Sequence, residues 1–256
     1  MLFDAHTHLN AKSIKILKNL HQFAVASTPE DCAFLEGEAK QNPRLYWAAG
    51  VHPWQSGAVE VDALLPWLER ADAIGEIGMD SLWCSVDPAQ QLRTFRHQLA
   101  LAEELQKPII LHTKGCEGEI LREIQNINQP ILVHWYSETK HLQGYLEKDC
   151  YFTIGPDIES NKAVENLARK VPLNRLLVET DGAEAVSWAQ KRAVTPAEIP
   201  AVLAHSLDII AQIKGESRET VEKAAFENAL SFLGKVQKET TCRALQRKPS
   251  QVVFPI

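Results

Sequence analysis

Phe3-Asp4-Ala5-His6-Thr7-His8-Leu9-Asn10 covers the point where the first predicted strand, Met1–His6, runs out into its loop. An open, doubly wound sheet built for a dinucleotide places a glycine-rich turn there, so that backbone can approach a pyrophosphate. This stretch contains no glycine. It carries two histidines one residue apart instead. Residues i and i+2 of a strand share a face, so His6 and His8 can reach one cation together. The stretch therefore favours a closed barrel with a metal site at its mouth over a nucleotide-binding open sheet.

Outward from that start, seven more short apolar runs read as strands: 22–27, 45–50, 73–77, 107–112, 129–134, 151–155 and 175–180. Each is bounded by Pro, Gly, Asn or polar residues. Helical patterns fill the gaps. Thr28-Pro29 and Asp87-Pro88 pair an N-cap with proline at the first helical position. After Asp87, Leu92, Phe95, Leu99, Ala102 and Leu105 recur at helical spacing. Helix starts are also predicted at Ser137-Glu138, at Glu159-Ser160 and at Thr195-Pro196, with a last helix over 217–233. Parallel strands need crossover connections, which these helices supply. Eight such units in 256 residues match one (β/α)8 TIM barrel, typically about 250 residues long. The predicted division is a barrel over 1–233 and a C-terminal extension over 234–256.

Composition narrows the class. Apolar residues make up 45% and charged residues 23%, as in ordinary globular chains. The net charge of −6 disfavours sequence-independent attraction to nucleic acid or anionic membranes over the whole surface. Five cysteines without a CxxC pair argue for reduced thiols and a cytoplasmic protein. No run approaches the ~18 apolar residues of a membrane span. The N-terminus has no basic segment and reaches Asp4 at once, unlike a secretory signal.

In such a barrel, reactive groups collect at the C-terminal ends of the strands. His6, His8, His52, Glu76, His112, His134 and Asp181 all fall at or just past predicted strand ends. Histidines with carboxylates suit Zn²⁺, Ni²⁺ or Mn²⁺ better than a site for Mg²⁺ or Ca²⁺ alone. A carboxylate has two oxygens and can bridge two cations, a role open to Glu76. Asp181 can hold a metal and accept a proton from water.

Taken in order, Phe3-Asp4-Ala5-His6-Thr7-His8, Gly50-Val51-His52-Pro53, Gly75-Glu76-Ile77-Gly78-Met79-Asp80, Pro108–Lys114, Val133-His134 and Glu179-Thr180-Asp181-Gly182 resemble the TatD-type metal-dependent hydrolases and deoxyribonucleases of the amidohydrolase-like barrels. The resemblance covers roughly residues 1–233. It implies a two-metal phosphodiester hydrolase. His6, His8 and Asp181 would hold one metal, His112 and His134 the other, and Glu76 would bridge. The cofactors implied are two divalent cations per chain, Zn²⁺ first, with Ni²⁺, Mn²⁺ or Mg²⁺ as alternatives. Glu76 and Asp181 are the catalytic candidates. The substrate implied is a phosphodiester, with DNA ends and nucleotides as its classes, and no membrane partner. Trp135-Tyr136-Ser137-Glu138 and Gly182-Ala183-Glu184 depart from the family pattern in the loops that shape the pocket.

Around that set, Lys114 is a candidate for a phosphate oxygen, and His52 for phosphate contact or leaving-group protonation. Asp4 and Glu179 share strand parity with His6 and Asp181, which suggests partners that fix imidazole tautomers. Trp54, Trp83, Trp135 and Tyr136 are candidates for stacking on exposed bases. Two other readings stand beside this one: an amidohydrolase acting on C–N or lactone bonds, and a metal-binding scaffold without turnover. Many two-metal amidohydrolases bridge their ions with a carbamylated lysine at the end of strand 4, where this chain has Glu76.

Overall fold

Eight parallel strands appear in the computed structural model, which describes residues 1–235: β1 Phe3–Thr7, β2 His21–Ala26, β3 Leu45–Ala49, β4 Ala73–Gly78, β5 Ile109–His112, β6 Ile131–Val133, β7 Tyr151–Ile154 and β8 Leu176–Val178. They pair in chain order as one sheet. The helices are α1 Ser13–Ile16, α2 Pro29–Ala39, α3 Leu65–Leu68, α4 Pro88–Glu104, α5 Glu117–Glu123, α6 Leu142–Glu147, α7 Lys162–Lys170, α8 Ala183–Gln190, α9 Ile199–Lys214 and α10 Arg218–Phe232. This is the expected (β/α)8 barrel. Of the expected C-terminal extension, residues 236–256 lie outside the described residues.

The helix starts with a capping side chain behave as their chemistry dictates. Thr28, Asp87 and Ser217 each accept a backbone N–H three residues on, which typically contributes about 1 kcal/mol. On α4, Phe95, Leu99 and Ala102 are buried, the face the spacing predicts. Two expected starts shift. The Glu138 carboxylate accepts the Lys140 and His141 N–H groups and makes a turn, so α6 begins only at Leu142. Asn161, not Glu159, caps α7 by accepting the Ala163 N–H at 3.0 Å. β5 and β6 start two residues late because Pro108 and Pro130 precede them. Each proline gives only its carbonyl to the neighbouring strand, to Ile74 and Ile109.

The barrel interior is one apolar cluster. It takes Phe3, Ala5, Phe23, Val25, Ala48, Ala73, Ile110, Leu132 and Leu177 from the strands, and Ala229 and Phe232 from α10. Tyr151 of β7 packs against it. The outward-facing strand residues join the larger cluster beneath the helices.

Two strands break strict alternation. Between Asp4 and Thr7, β1 advances three residues while β2 advances two, from Gln22 to Ala24. Between Ile74 and Ile77, β4 gains the same extra residue against β5. A one-residue bulge inverts which side chains face inward. Phe3 and Ala5 can thus fill the floor of the barrel while His6 turns into its mouth. Ala73 and Glu76 share the interior in the same way.

β8 meets β1 through a short seam. The Asp181 N–H donates to the His6 carbonyl at 3.0 Å. The Asp4 carboxylate accepts the Thr180 N–H at 2.9 Å and the Thr180 hydroxyl at 2.6 Å. Asp4 therefore holds the seam and makes no hydrogen bond to an imidazole, which corrects the role expected from parity. The bulge that follows Asp4 is the reason: it separates Asp4 from the face of His6. Burial pushes the Asp4 carboxyl up to about 7, against the bonds from Thr180.

Candidate metal centre

Glu76 lies at the middle of the mouth, 2% exposed. Its Oε1 is 2.7 Å from His134 Nε2 and 2.8 Å from His112 Nδ1. Its Oε2 is 3.4 Å from His6 Nε2 and 3.7 Å from His8 Nε2. Asp181 Oδ1 stands 3.4 Å from both of those nitrogens. One carboxylate thus turns each of its oxygens to a different pair of histidines. The His6 and His134 rings stack at 4.1 Å between the two pairs.

Small neighbours let Glu76 sit there. A Cβ on Gly75 would fall 2.6 Å from the Ile110 Cβ, and one on Gly78 would fall 2.0 Å from the His112 carbonyl oxygen. β4 and β5 can approach as they do only because both positions are glycine. Asp181 is held at φ 59° and Trp135 at φ 36°. Such left-handed backbone costs a non-glycine residue on the order of 1–3 kcal/mol and concentrates at functional sites.

The electrostatics favour cations. Burial opposes charge on Glu76, yet His134, His52 and His6 outweigh it and hold the carboxyl well below its usual range. Burial likewise opposes charge on Asp181, and His6 and His8 hold it down. Burial disfavours a proton on His6, but Glu76 and Asp181 overcome it and raise its affinity. A site that draws protons onto imidazoles in this way draws a metal ion too. Two buried atoms that face the centre have no hydrogen-bond partner: His6 Nε2 and Asp181 Oδ1. Buried polar atoms are normally satisfied, so these call for a bound group. Divalent metal fits the donor set, which includes the groupings His6–His8–Asp181 and His6–Glu76–His134.

His112 is oriented by a residue that was not singled out from the sequence. Its Nε2 faces Asp80 Oδ2 at 3.0 Å. Asp80 is fully buried and follows Glu76 by four residues, so parity past the strand end was the signal that could have found it. His134 Nδ1 lies 3.5 Å from Glu179 Oε2, which places Glu179 behind that ring. His52 Nδ1 accepts the Trp54 N–H at 3.1 Å. Its Nε2 is 3.3 Å from His112 Nδ1.

Lys114 is buried and gives protons to the Trp135 carbonyl and the Ser137 hydroxyl. Burial lowers its pKa, opposed by carboxylates that include Glu179 and Asp157. A cavity of ≈ 930 Å³ joins Lys114, His52, Trp54, Trp83 and Trp135 to the centre. Tyr136 is instead wholly buried, against Tyr145 and Phe152, and is not a stacking surface. Trp188, overlooked in the sequence, lines the cavity.

A parallel barrel with this histidine–carboxylate mouth fits a metal-dependent hydrolase. The profile of TatD related DNases matches residues 3–234, and the chain belongs to that family. It is 26% identical to the uncharacterized metal-dependent hydrolase YcfH of Escherichia coli (strain K12), over 89% of this chain and 93% of that one. It is 29% identical to the 3'-5' ssDNA/RNA exonuclease TatD of Citrobacter rodentium, over 77% and 80%. In fold it resembles the TatD homologue YJJV of Escherichia coli K12, with TM-score 0.78 at 20% identity, covering 90% of this chain and 97% of that one. No helix among the described residues is long and apolar enough to cross a membrane.

Proposed function

We propose that the protein is a two-metal phosphodiesterase acting on single-stranded DNA ends or nucleotides. The observation that carries this reading is Glu76, whose two oxygens face two separate histidine groups. A carboxylate so placed suits a pair of cations better than one. His6, His8 and Asp181 would hold one ion, His112 and His134 the other, with Zn²⁺ the best match to imidazole-rich ligands. When bound, such a pair supplies Lewis-acid charge to a phosphoryl oxygen and makes water a better nucleophile near neutral pH.

The chain's own residues do the rest. Asp181 orients the attacking water and accepts its proton on a carboxylate oxygen. Lys114 directs its remaining N–H to a phosphate oxygen. His52 is a donor to substrate. Its Nδ1 accepts from Trp54, which leaves the ring proton on Nε2, the atom facing the centre. Burial lowers its pKa, against Glu76, so the ring is a neutral hydrogen-bond donor suited to a phosphate oxygen, and the proton that Asp181 takes from water is the one passed to the departing oxygen. Glu179 behind His134 keeps that ring's other nitrogen turned towards Glu76. Relatives named as single-strand exonucleases support the substrate class.

The test pairs metal analysis with a substrate panel. The reading expects about two zinc ions per chain and turnover of bis(p-nitrophenyl) phosphate and single-stranded oligonucleotides. It expects Glu76→Gln to lose both bound metal and turnover. Hydrolysis of amides or lactones with no phosphodiester cleaved would overturn it in favour of amidohydrolase chemistry.

A further inference from the structure

We propose that Trp83, Trp135 and Trp188 form a stacking site that holds an unpaired nucleobase beside the metal centre. The proposal rests on the phosphodiester reading and adds to it the part of the substrate that is recognised. Trp83 and Trp135 come from the loops after β4 and β6, and Trp188 from α8, the helix that follows β8. Glu76 lies on β4, His134 and Asp181 lie just past the ends of β6 and β8, and all six side chains border one cavity.

The rings are arranged as a wall. Trp188 contacts Trp83 at 6.2 Å and Trp135 at 6.1 Å between centroids, with the planes at 76° and 70°. The Trp135 ring, itself buried, is fixed from behind, and the backbone of Trp83 is pinned. The Trp135 indole N–H donates to Asp157 at 2.8 Å, and Gly155 leaves room for that ring, because a Cβ there would lie 2.4 Å from it. The Trp83 backbone N–H donates to Asp80 at 2.8 Å. Yet Trp83 and Trp188 remain 57% and 66% exposed. Large apolar rings held exposed at a cavity rim mark a ligand surface.

Charge then selects the ligand. The Lys114 ammonium lies 5.9 Å from the centroids of both Trp83 and Trp135. The floor of the cavity is carboxylate and imidazole, which a lipid chain would not enter. A flat π surface beside a buried cation and a cation-binding centre complements a planar group joined to an anion. A nucleobase on its phosphate has that form. Paired bases inside a duplex have both faces covered, so an unpaired or terminal base is the one admitted.

The test compares two labelled five-residue strands by fluorescence anisotropy on the full chain loaded with zinc. One is oligodeoxyadenosine with phosphorothioate links to slow cleavage; the other is the same backbone with abasic sugars. The intact protein is expected to bind the base-bearing strand about tenfold tighter or more, the range that stacking on one aromatic supplies. Trp188→Ala and Trp83→Ala should bring that ratio towards one, and Trp188→Phe should restore most of it. Repetition on chelated protein separates stacking from metal contact. An unchanged ratio in both alanine variants, or no preference in the intact protein, overturns the stacking site. Turnover of bis(p-nitrophenyl) phosphate is read separately. Cleavage without base preference removes the stacking site alone, while a tryptophan-dependent preference without any phosphodiester cleavage removes only the proposed reaction.

Discussion

Four donors converge on the Asp80 carboxylate: His112 Nε2, the Trp54 indole, and the N–H groups of Leu82 and Trp83. Together they hold its pKa far below the usual range despite burial. The proton on His112 is thereby kept on Nε2, and Nδ1 is left to face Glu76. Partners of this kind typically contribute about 10–100-fold to metal affinity. Asp80→Ala is therefore expected to weaken zinc binding by that factor in calorimetric titration, with the circular dichroism spectrum retained. Affinity equal to that of the unaltered protein would show that His112 needs no such partner. The six primary ligand candidates were legible in the sequence because each stands at a strand end. Asp80 was not, since the predicted strand stopped at Ile77 and the side chain binds a ligand rather than a metal.

At the scale of elements, the two bulges decide what the barrel mouth contains. Alternation read along β1 puts Asp4, His6 and His8 on one face. The extra residue before Thr7 divides that series, leaving Asp4 to the seam and turning the histidines to the centre. No local pattern in Asp4-Ala5-His6 announces a bulge, because its partner is the register of β2. The seam gives a stability prediction. Thr180→Val removes the hydroxyl that donates to Asp4 and leaves a buried carboxylate oxygen unpaired. A buried group left without its partner costs about 1–3 kcal/mol. Urea denaturation of the chelated protein should show a loss of that size, with m unchanged. A loss under about 0.5 kcal/mol, the level of an ordinary surface change, would mean that the seam does not depend on this contact.

For the whole molecule, strand and helix order followed from sequence because each unit carries its own apolar run and breakers. Of the cavity rim, Trp83 and Trp135 were named from the sequence and Trp188 was not, since only closure of the barrel brings α8 beside them. Closure also gathers buried carboxylates and imidazoles in one place, and that concentration has a stability consequence. Cations bind the assembled centre, not six ligands scattered along an unfolded chain. The folded state is then favoured by RT ln(1 + [L]/Kd), about 2.7 kcal/mol at a free metal concentration of 100 Kd. For a domain of this size each kcal/mol moves Tm by about 2–4 °C. Chelation should therefore lower Tm by about 5–10 °C, and re-added zinc should restore it as its concentration rises. The Glu76→Gln variant tests the origin of the effect. Its Tm should respond far less to chelator, because the carboxylate that faces both histidine groups becomes a neutral amide with one oxygen left. An equal response in that variant would place the stabilising ion elsewhere in the molecule.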